Sequence, residues 1–266
     1  MSYQMVVFVE GLQVFVSLLF LLYASWSDLK TREVSNWVWV FFAPIGIILS
    51  LVWLSLNFSY DTLYVFGISV GVTSALALVL FYTGAFGGAD AKALICLSLT
   101  LPFYPSNFIH LTSTTPIFPL SVFSNGVILA ALSVLYALFR NAFWRQRTGR
   151  RLFEGLESES KGRKILALLS GYKIPIGKLE KSSFLYPLED ANVSEEGEIK
   201  RKLLVFPKDE EREEIVNRIL DAAKEEKIEY VWATPGLPML VFITAGLITA
   251  LIFGDFVWIG LTHLLS

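Results

Sequence analysis

The chain has 266 residues, of which 54% are hydrophobic and only 17% charged, and it contains 7 Trp and 21 Phe. This apolar share exceeds that of ordinary soluble proteins and predicts a polytopic membrane protein. The formal net charge of -2 indicates little by itself, whereas the single cysteine, Cys96, excludes an intrachain disulfide and a cysteine-based zinc site.

Six apolar segments follow one another along the chain. An α-helix needs about 20 apolar residues to cross a bilayer core, at 1.5 Å per residue. The fourth segment is shorter than this, but prolines mark its end and a helix enclosed by others need not cross the whole bilayer. We therefore predict six membrane helices, at about 5–26, 37–56, 62–83, 91–104, 122–143 and 237–264.

The basic residues predict how these helices are oriented. Lys30 and Arg32 lie in the first loop, Lys92 begins the fourth apolar segment, and the other nineteen of 22 follow residue 139. The loops at 57–61 and 105–121 contain no Lys or Arg. Because short cytoplasmic loops retain basic residues, six spans with an external N-terminus place all 22 on the cytoplasmic side.

A soluble domain is predicted between the fifth and sixth helices. Residues 145–235 hold 18 of the 24 acidic residues, which is typical of a water-soluble insertion. The predicted organisation is five membrane helices in 1–144, a small cytoplasmic α+β domain in 145–235, and the sixth helix in 236–266. The fold class is thus an α-helical polytopic membrane protein with a small α+β domain.

Within the soluble domain, segments 202–206 and 229–233 are predicted strands. Between them, Pro207 and Asp209 are suited to starting a helix. Its apolar residues recur at helical spacing, at Ile215, Ile219, Leu220 and Ala223. This order of strand, helix and strand predicts an α+β or a βαβ unit.

Two aspartates lie at the ends of apolar segments. Asp28 ends the first, and Asp90 precedes the fourth, within the run Gly84-Ala-Phe-Gly-Gly-Ala-Asp90. Ionisable side chains are costly at membrane depth and are functional candidates there. The alternatives are an interfacial charge at Asp28 and a helix N-cap at Asp90. In the predicted topology, both aspartates lie at the cytoplasmic face.

Two carboxylates at one membrane face suggest an aspartic protease. Peptide hydrolysis needs one ionised carboxylate to take a proton from water and one protonated carboxyl to polarise the scissile carbonyl. Like charges a few ångströms apart do not both ionise easily, so such a pair shares one proton. Gly84, Gly87 and Gly88 let the backbone bend and an extended substrate approach closely. The hypothesis requires the first and fourth helices to be neighbours.

Two stretches carry a family resemblance. Residues 27–37 read Ser-Asp-Leu-Lys-Thr-Arg-Glu-Val-Ser-Asn-Trp, and residues 87–92 read Gly-Gly-Ala-Asp-Ala-Lys. Together they resemble the archaeal type IV prepilin and preflagellin peptidases, which are GxGD-type intramembrane aspartic proteases with six helices. The resemblance implies catalytic roles for Asp28 and Asp90. Ala89 replaces the second glycine of the motif, so the looser archaeal form is the match.

The resemblance also implies the substrate and the location. An enzyme of this family removes short basic signal peptides from preflagellin or prepilin-like precursors at the cytoplasmic face of the cell membrane. Its expected partners are these precursors and membrane lipid, with no nucleic acid, cofactor or metal. Bacterial relatives carry paired Cys-x-x-Cys motifs and N-methylate their product, so this chain is expected to act without methylation.

A proton-coupled transporter is the alternative function. Asp28 and Asp90 would then carry protons instead of activating water. Such a transporter predicts carboxylates near the middle of the membrane and related halves of the chain. Neither feature is visible in the sequence, which therefore favours the peptidase.

Other polar residues have more than one interpretation. Lys30 and Lys92 either position substrate carbonyls or lower the pKa of a nearby aspartate. Alternatively, they only anchor the topology. Asn36 matches an asparagine of the family pattern, and a hydrogen bond at the start of the second helix is its simplest function. Glu10 and Asp255 lie toward the outer face, where structural roles are expected.

Overall fold

The computed structural model describes residues 2–106, 116–182, 184–193, 199–204, 212–226, 228–236 and 238–265. The chain forms two compact units, one of Met1–Ala130 with Pro238–Ser266 and the other of Ala131–Leu237. In chain order, the helices are α1 (Ser2–Thr31), α2 (Asn36–Leu56), α3 (Tyr60–Tyr82), α4 (Gly88–Thr100), α5 (Phe118–Thr148), α6 (Lys161–Ser170), α7 (Ile176–Lys181), α8 (Arg212–Glu226), α9 (Met239–Phe253) and α10 (Phe256–Leu265). The strands are β1 (Tyr172–Pro175), β2 (Leu185–Pro187), β3 (Glu189–Val193), β4 (Ile199–Leu203) and β5 (Tyr230–Pro235).

Within the part of the chain that the structure describes, four helices are long and apolar enough to cross a membrane. They are α1 from Tyr3, α2, α3 and α5. Two other helices from the predicted set are shorter, with 13 residues in α4 and 15 in α9. The molecule is thus mostly helical, with four candidate membrane spans and a small domain that contains the sheets.

Helix α4 is the most enclosed element of the first unit. It packs against α2 and α3 and also contacts α1 and α9. Ala93, Leu94 and Leu97 are fully buried. Gly46 of α2 permits this packing, because a Cβ at that position would overlap the side chain of Thr100. Packing in the core of the unit therefore fixes α4, and it also fixes the residues that begin this helix.

Polar side chains connect three helices of this unit. Gln13 Nε2 on α1 donates to Ser50 Oγ on α2 at 3.2 Å. Ser50 Oγ in turn donates to the carbonyl of Leu99 on α4 at 2.7 Å. Hydrogen bonds between apolar helices favour one register, since an unpaired polar group inside the packing is costly.

The segment 237–264, predicted as one helix, forms two. Gly254 has φ 85 and ψ -147, a backbone conformation that is open to glycine because it has no Cβ. Asp255 then accepts hydrogen bonds from the N–H groups of Val257 and Trp258 at 2.9 and 3.0 Å, which starts α10. It also accepts from Ser121 Oγ at 2.7 Å. Asp255 therefore has the structural role that was expected.

Hydrogen bonds also hold Glu10, which lies toward the opposite end of α1 from Asp28. Its Oε1 accepts a hydrogen bond from Trp53 Nε1 at 3.0 Å. Its Oε2 accepts from the N–H and Oγ of Ser106, at 2.8 and 2.6 Å. The carboxylate thus connects α1, α2 and the segment after α4, in agreement with the expected structural role.

The second unit is an antiparallel α+β domain. Its larger sheet has the order β1-β5-β2, and β3 pairs with β4 in a separate ladder. The predicted strand 229–233 lies within β5 except for its first residue. Of the predicted strand 202–206, only residues 202 and 203 lie in β4, and residues 205 and 206 lie outside the described residues, as do Pro207 and Asp209. Because β4 and β5 lie in different sheets and all pairs are antiparallel, the βαβ alternative is wrong.

Helix α8 packs on this domain as its apolar spacing predicts. Of the four predicted apolar residues, Ile215 and Ile219 are buried, and Leu220 and Ala223 are half-buried. On the same helix, Arg218 donates two hydrogen bonds to Asp190 of β3, at 3.0 and 3.1 Å. Burial alone would raise the pKa of Asp190, but hydrogen bonds and charge from Arg218 and Lys202 outweigh burial and hold the pKa below its ordinary value.

Candidate active site

Asp28 lies in the last turn of α1, where hydrogen bonds hold the backbone. The N–H of Arg32 donates to the carbonyl of Asp28 at 3.0 Å. Arg32 itself has φ 58, a left-handed conformation typical of a helix end. Ser27 Oγ donates to the carbonyl of Glu33 at 2.7 Å. These bonds fix the end of α1 and with it the position of the half-buried Asp28 side chain.

The turn from α3 to α4 depends on a glycine. Gly84 has φ 75, which is accessible because glycine has no Cβ. Its N–H donates to the carbonyl of Phe81 at 3.0 Å, and the N–H of Ala85 donates to that of Leu80 at 2.9 Å. This pair of bonds is the Schellman pattern that ends a helix. Phe86 is buried immediately afterwards, so α4 begins from a fixed point.

Asp90 lies in the first turn of α4 and is half-buried. The N–H of Gly87 donates to Asp90 Oδ2 at 3.0 Å. Gly87 occupies the N-cap position and Asp90 the third helical position, so Asp90 is not itself the N-cap residue but satisfies a backbone donor there. A Cβ on Gly87 would lie 3.2 Å from the same carboxylate oxygen. Gly88 and Ala89 form the first turn of the helix with Asp90.

The two aspartates lie together at one end of the first unit. Asp28 lies in the last turn of α1 and Asp90 in the first turn of α4, and the charge of Asp28 acts on the Asp90 carboxyl. Helices α1 and α4 contact each other, and both pack against α2. The hypothesis from the sequence required the first and fourth helices to be neighbours, and α1 and α4 are neighbours. Carboxyl groups that lie a few ångströms apart share one proton, which is the condition for acid–base activation of water.

Lys92 and Asn36 connect α4 to the start of α2. Lys92 Nζ donates to Asn36 Oδ1 at 2.7 Å, and both side chains are exposed. The simpler role predicted for Asn36, a hydrogen bond at the helix N-terminus, is not what the described side chain does. Lys30 lies elsewhere, with its Nζ 5.0 Å from the centroid of the Trp26 ring. The structure therefore joins Lys92 to Asn36 and places the Lys30 ammonium group over a ring of its own helix.

A contact between α1 and α9 was not predicted from the sequence. Ser25 Oγ donates to the carbonyl of Leu240 at 2.9 Å and lies 2.7 Å from Thr244 Oγ1. Ser25 precedes Asp28 by one helical turn, so the start of α9 lies beside the turn that carries this aspartate. Isolated Ser and Thr in apolar runs were the signal available in the sequence, because such residues form hydrogen bonds between membrane helices.

Two family models match the chain. A model of the type IV leader peptidase family matches residues 15–140. A model described as archaeal peptidase A24 C-terminus, type II, matches residues 163–256. The first of these ranges contains both Asp28 and Asp90.

Curated relatives are similar over nearly the whole chain. The preflagellin peptidase of Methanococcus voltae is 29% identical over 246 residues, which cover 90% of this chain and 94% of the relative. The preflagellin peptidase of Methanocaldococcus jannaschii is 27% identical over 251 residues, covering 88% and 91%. That of Methanococcus maripaludis is 23% identical, covering 88% and 92%. From these matches and the two family models, the chain belongs to the type IV leader peptidase family and is a membrane peptidase.

Proposed function

We propose that this peptidase is an aspartic endopeptidase that removes signal peptides from preflagellin or prepilin-like precursors, with Asp28 and Asp90 as its catalytic pair. The observation that carries the proposal is that α1 and α4 contact each other, with Asp28 in the last turn of α1 and Asp90 in the first turn of α4. The names of the relatives support the substrate class. The comparisons give no support to the transporter alternative.

The chemistry needs only these two groups and water. The ionised carboxylate takes a proton from water while the oxygen of that water attacks the scissile carbonyl carbon. The protonated carboxyl donates its proton to the carbonyl oxygen, which gives a tetrahedral diol. Transfer of a proton to the amide nitrogen then breaks the carbon–nitrogen bond and releases a carboxylic acid and an amine.

The surroundings of Asp90 suit this chemistry. The hydrogen bond from the Gly87 N–H occupies Oδ2, so the other oxygen of Asp90 remains for water or substrate. The partial positive charge at the start of α4 stabilises negative charge on the carboxylate, an effect of about 0.3–1 kcal/mol. The bridge from Lys92 to Asn36 holds the start of α2 against α4 beside the pair, which supports a positioning role for both residues.

A topology of six spans, with the pair facing the cytoplasm of the cell membrane, is part of the proposal. The four long helices account for four of these spans, and α4 together with the α9–α10 segment would supply the remaining two. In this assignment, residues 1–144 and 236–266 form the membrane part and residues 145–235 the cytoplasmic domain. The distribution of Lys and Arg supports this orientation.

Cleavage by the purified full-length protein tests the catalytic assignment. A preflagellin-type precursor is incubated with wild type, Asp28→Asn or Asp90→Asn in detergent. Each substitution is expected to lower the cleavage rate about a thousandfold or more, because each removes one half of the acid–base pair. Asp61→Asn is the matched control, since Asp61 also lies in the first turn of a helix, α3.

The folded state of each variant is checked by size-exclusion chromatography and circular dichroism. A well-folded Asp28→Asn or Asp90→Asn variant that still cleaves at the wild-type rate would show that the pair is not catalytic. Cleavage lost equally in the Asp61→Asn control would point to general damage instead of a specific role.

A further inference from the structure

Helix α6 of the second unit exposes an apolar face. Ile165, Leu166 and Leu169 are 56%, 47% and 39% exposed, and their spacing places them on one side of the helix. On the opposite side, Ala167 is buried and packs in a cluster with Leu156. Contiguous apolar side chains that remain exposed and are rimmed by charge mark an interaction surface.

The charge around this face is strongly positive. Lys161 and Arg163 are exposed on the same helix. Over the wider segment 140–164, eight Lys and Arg residues stand against three Glu residues. A short helix with an apolar face and flanking basic residues is typical of segments that lie in the headgroup layer of an anionic membrane.

A buried asparagine fixes the end of α6 to α5. Asn141 is 1% exposed. Its Nδ2 donates to the carbonyl of Gly171, the residue after α6, at 2.8 Å, and its Oδ1 accepts from the N–H of Lys173 at 3.1 Å. The level of α6 along α5 is therefore set by the position of Asn141.

That position is the membrane boundary of α5. Phe139 and Phe143 are 74% and 63% exposed, as expected for side chains that face lipid. Arg145 and Arg147 follow in the last turn of the same helix. The change from exposed aromatic to exposed basic residues marks where a membrane helix leaves the hydrocarbon core. Helix α6 is fixed at this level.

A groove lies between α5 and α6. It has a volume of about 490 Å³, and its wall includes Leu138, Ala142, Arg145 and Leu168. The apolar side chains of the groove thus lie next to the guanidinium group of Arg145. This arrangement suits a lipid chain attached to an acidic headgroup.

We propose that α6 is an interfacial helix that binds the anionic lipid surface next to α5. Its apolar face lies in the headgroup layer, and its basic residues contact lipid phosphate groups. This proposal does not depend on the reaction that the aspartate pair performs.

Fluorescence quenching of the full-length protein in nanodiscs tests this proposal. A fluorophore is attached at Leu166→Cys in a Cys96→Ala background, and Lys224→Cys on α8 is the matched control because the Lys224 side chain is 76% exposed. The nanodiscs contain phosphatidylcholine alone, or phosphatidylcholine and phosphatidylglycerol in equal amounts. Quenchers are iodide in the water and a spin-labelled lipid at headgroup depth.

In the anionic nanodiscs, the fluorophore at Leu166→Cys is expected to be quenched by the labelled lipid. It should also be at least about fivefold less accessible to iodide than the control, since each basic residue contributes about that factor at an anionic surface. Equal iodide access at the two positions would overturn the proposal. Protection from iodide without quenching by lipid would also overturn it, because protein would then cover the face.

Neutralising the basic residues tests the charge requirement. Lys161→Gln with Arg163→Gln is expected to increase iodide access at Leu166→Cys in the anionic nanodiscs, by about fivefold for each charge removed. Little change is expected in phosphatidylcholine alone. Unchanged access in the anionic nanodiscs would show that lipid charge does not hold α6 in place.

Discussion

At Asp90, one backbone hydrogen bond links the position of the carboxylate to the start of the helix. The N–H of Gly87 binds Oδ2, so movement of the turn moves the carboxylate. A Cβ on Gly87 would lie 3.2 Å from Oδ2, so the carboxylate would have to move by a few tenths of an ångström to make room for it. Gly88 differs, since a Cβ there would meet only Phe81, at an ordinary distance of 3.6 Å.

Gly87→Ala is therefore expected to reduce cleavage more than Gly88→Ala does. A displacement of Asp90 by a few tenths of an ångström misaligns the pair, and we expect a loss of about tenfold in kcat with little change in KM. Steady-state cleavage of a precursor by the two variants measures the difference. Equal losses in both variants would show that the contact with Oδ2 is not the reason for glycine at this position.

Lys173 is a second residue whose surroundings set its chemistry. The side chain is buried, with its Nζ 5.5 Å from the centroid of the Trp232 ring. Burial lowers the pKa of Lys173 from 10.5 to about 8, with Glu189 opposing the shift. Between these two pKa values, the unfolded chain holds the proton and the folded domain does not. The contribution of Lys173 to stability therefore rises as the pH rises through this range.

Lys173→Met is expected to stabilise the protein near neutral pH. The shift in pKa corresponds to roughly 3 kcal/mol as an upper limit, reduced by the loss of contact with Trp232. Thermal unfolding in detergent at one heating rate, at about pH 7 and about pH 9.5, measures the change against wild type and the exposed control Lys224→Met. The advantage of Lys173→Met should shrink at the higher pH, and a variant less stable than wild type at both would contradict this account.

At the scale of elements, the break between α9 and α10 depends on Asp255. Its carboxylate supplies the hydrogen bonds that start α10 and accepts one from Ser121 of α5. Asp255 follows the end of α9. Near the start of the same helix, the carbonyl of Leu240 accepts a hydrogen bond from Ser25, one turn before Asp28. The fifteen residues of α9 separate the two ends by about 22 Å.

Asp255→Ala is expected to destabilise the protein by about 1 kcal/mol, because the cap of α10 is lost. Asp255→Asn should lose less, since asparagine also caps helices. Neither substitution should change the rate of precursor cleavage at a temperature where both variants are folded. Thermal unfolding and cleavage assays measure the two effects, and loss of cleavage in a folded Asp255→Asn variant would assign this residue a role in the chemistry.

The elements that could be predicted from the sequence are those with a long, uniform pattern. Helices α1, α2, α3 and α5 follow from apolar length alone, and the aspartates follow from charge beside apolar runs. The break at Gly254 could not be predicted, because two residues inside an apolar run change its average hydropathy little. Helix α6 was also missed, since its basic residues fall within a segment recognised only by its charge.

The contacts within the site were harder to predict from the sequence than the residues that form it. The sequence indicates Asp28 and Asp90 but not the hydrogen bond from Gly87, which depends on the turn geometry at Gly84. The bridge between Lys92 and Asn36 joins side chains that are 56 residues apart. Only the packing of α2 against α4 brings them together, and a single sequence contains no direct signal for it.

At the scale of the whole molecule, helix lengths constrain how deep the aspartates lie. Helix α1 has 30 residues and is about 45 Å long, longer than a bilayer core of about 30 Å. Helix α4, with 13 residues, is only about 20 Å long. Along α1, Glu10 and Asp28 are separated by about 27 Å, close to the thickness of the core. The aspartate pair and the Glu10 contacts therefore suit opposite membrane boundaries.

This arrangement predicts which residues can be labelled from outside the cell. In a Cys96→Ala background, a membrane-impermeant maleimide should label Tyr60→Cys in intact cells, since Tyr60 is 84% exposed and begins α3 next to a connection without basic residues. Glu33→Cys and Lys224→Cys should react only after permeabilisation, because the Lys and Arg residues around them are retained inside. Labelling of Glu33→Cys in intact cells would place the end of α1 outside, and with it Asp28, so the pair would then face the wrong compartment for a newly made precursor.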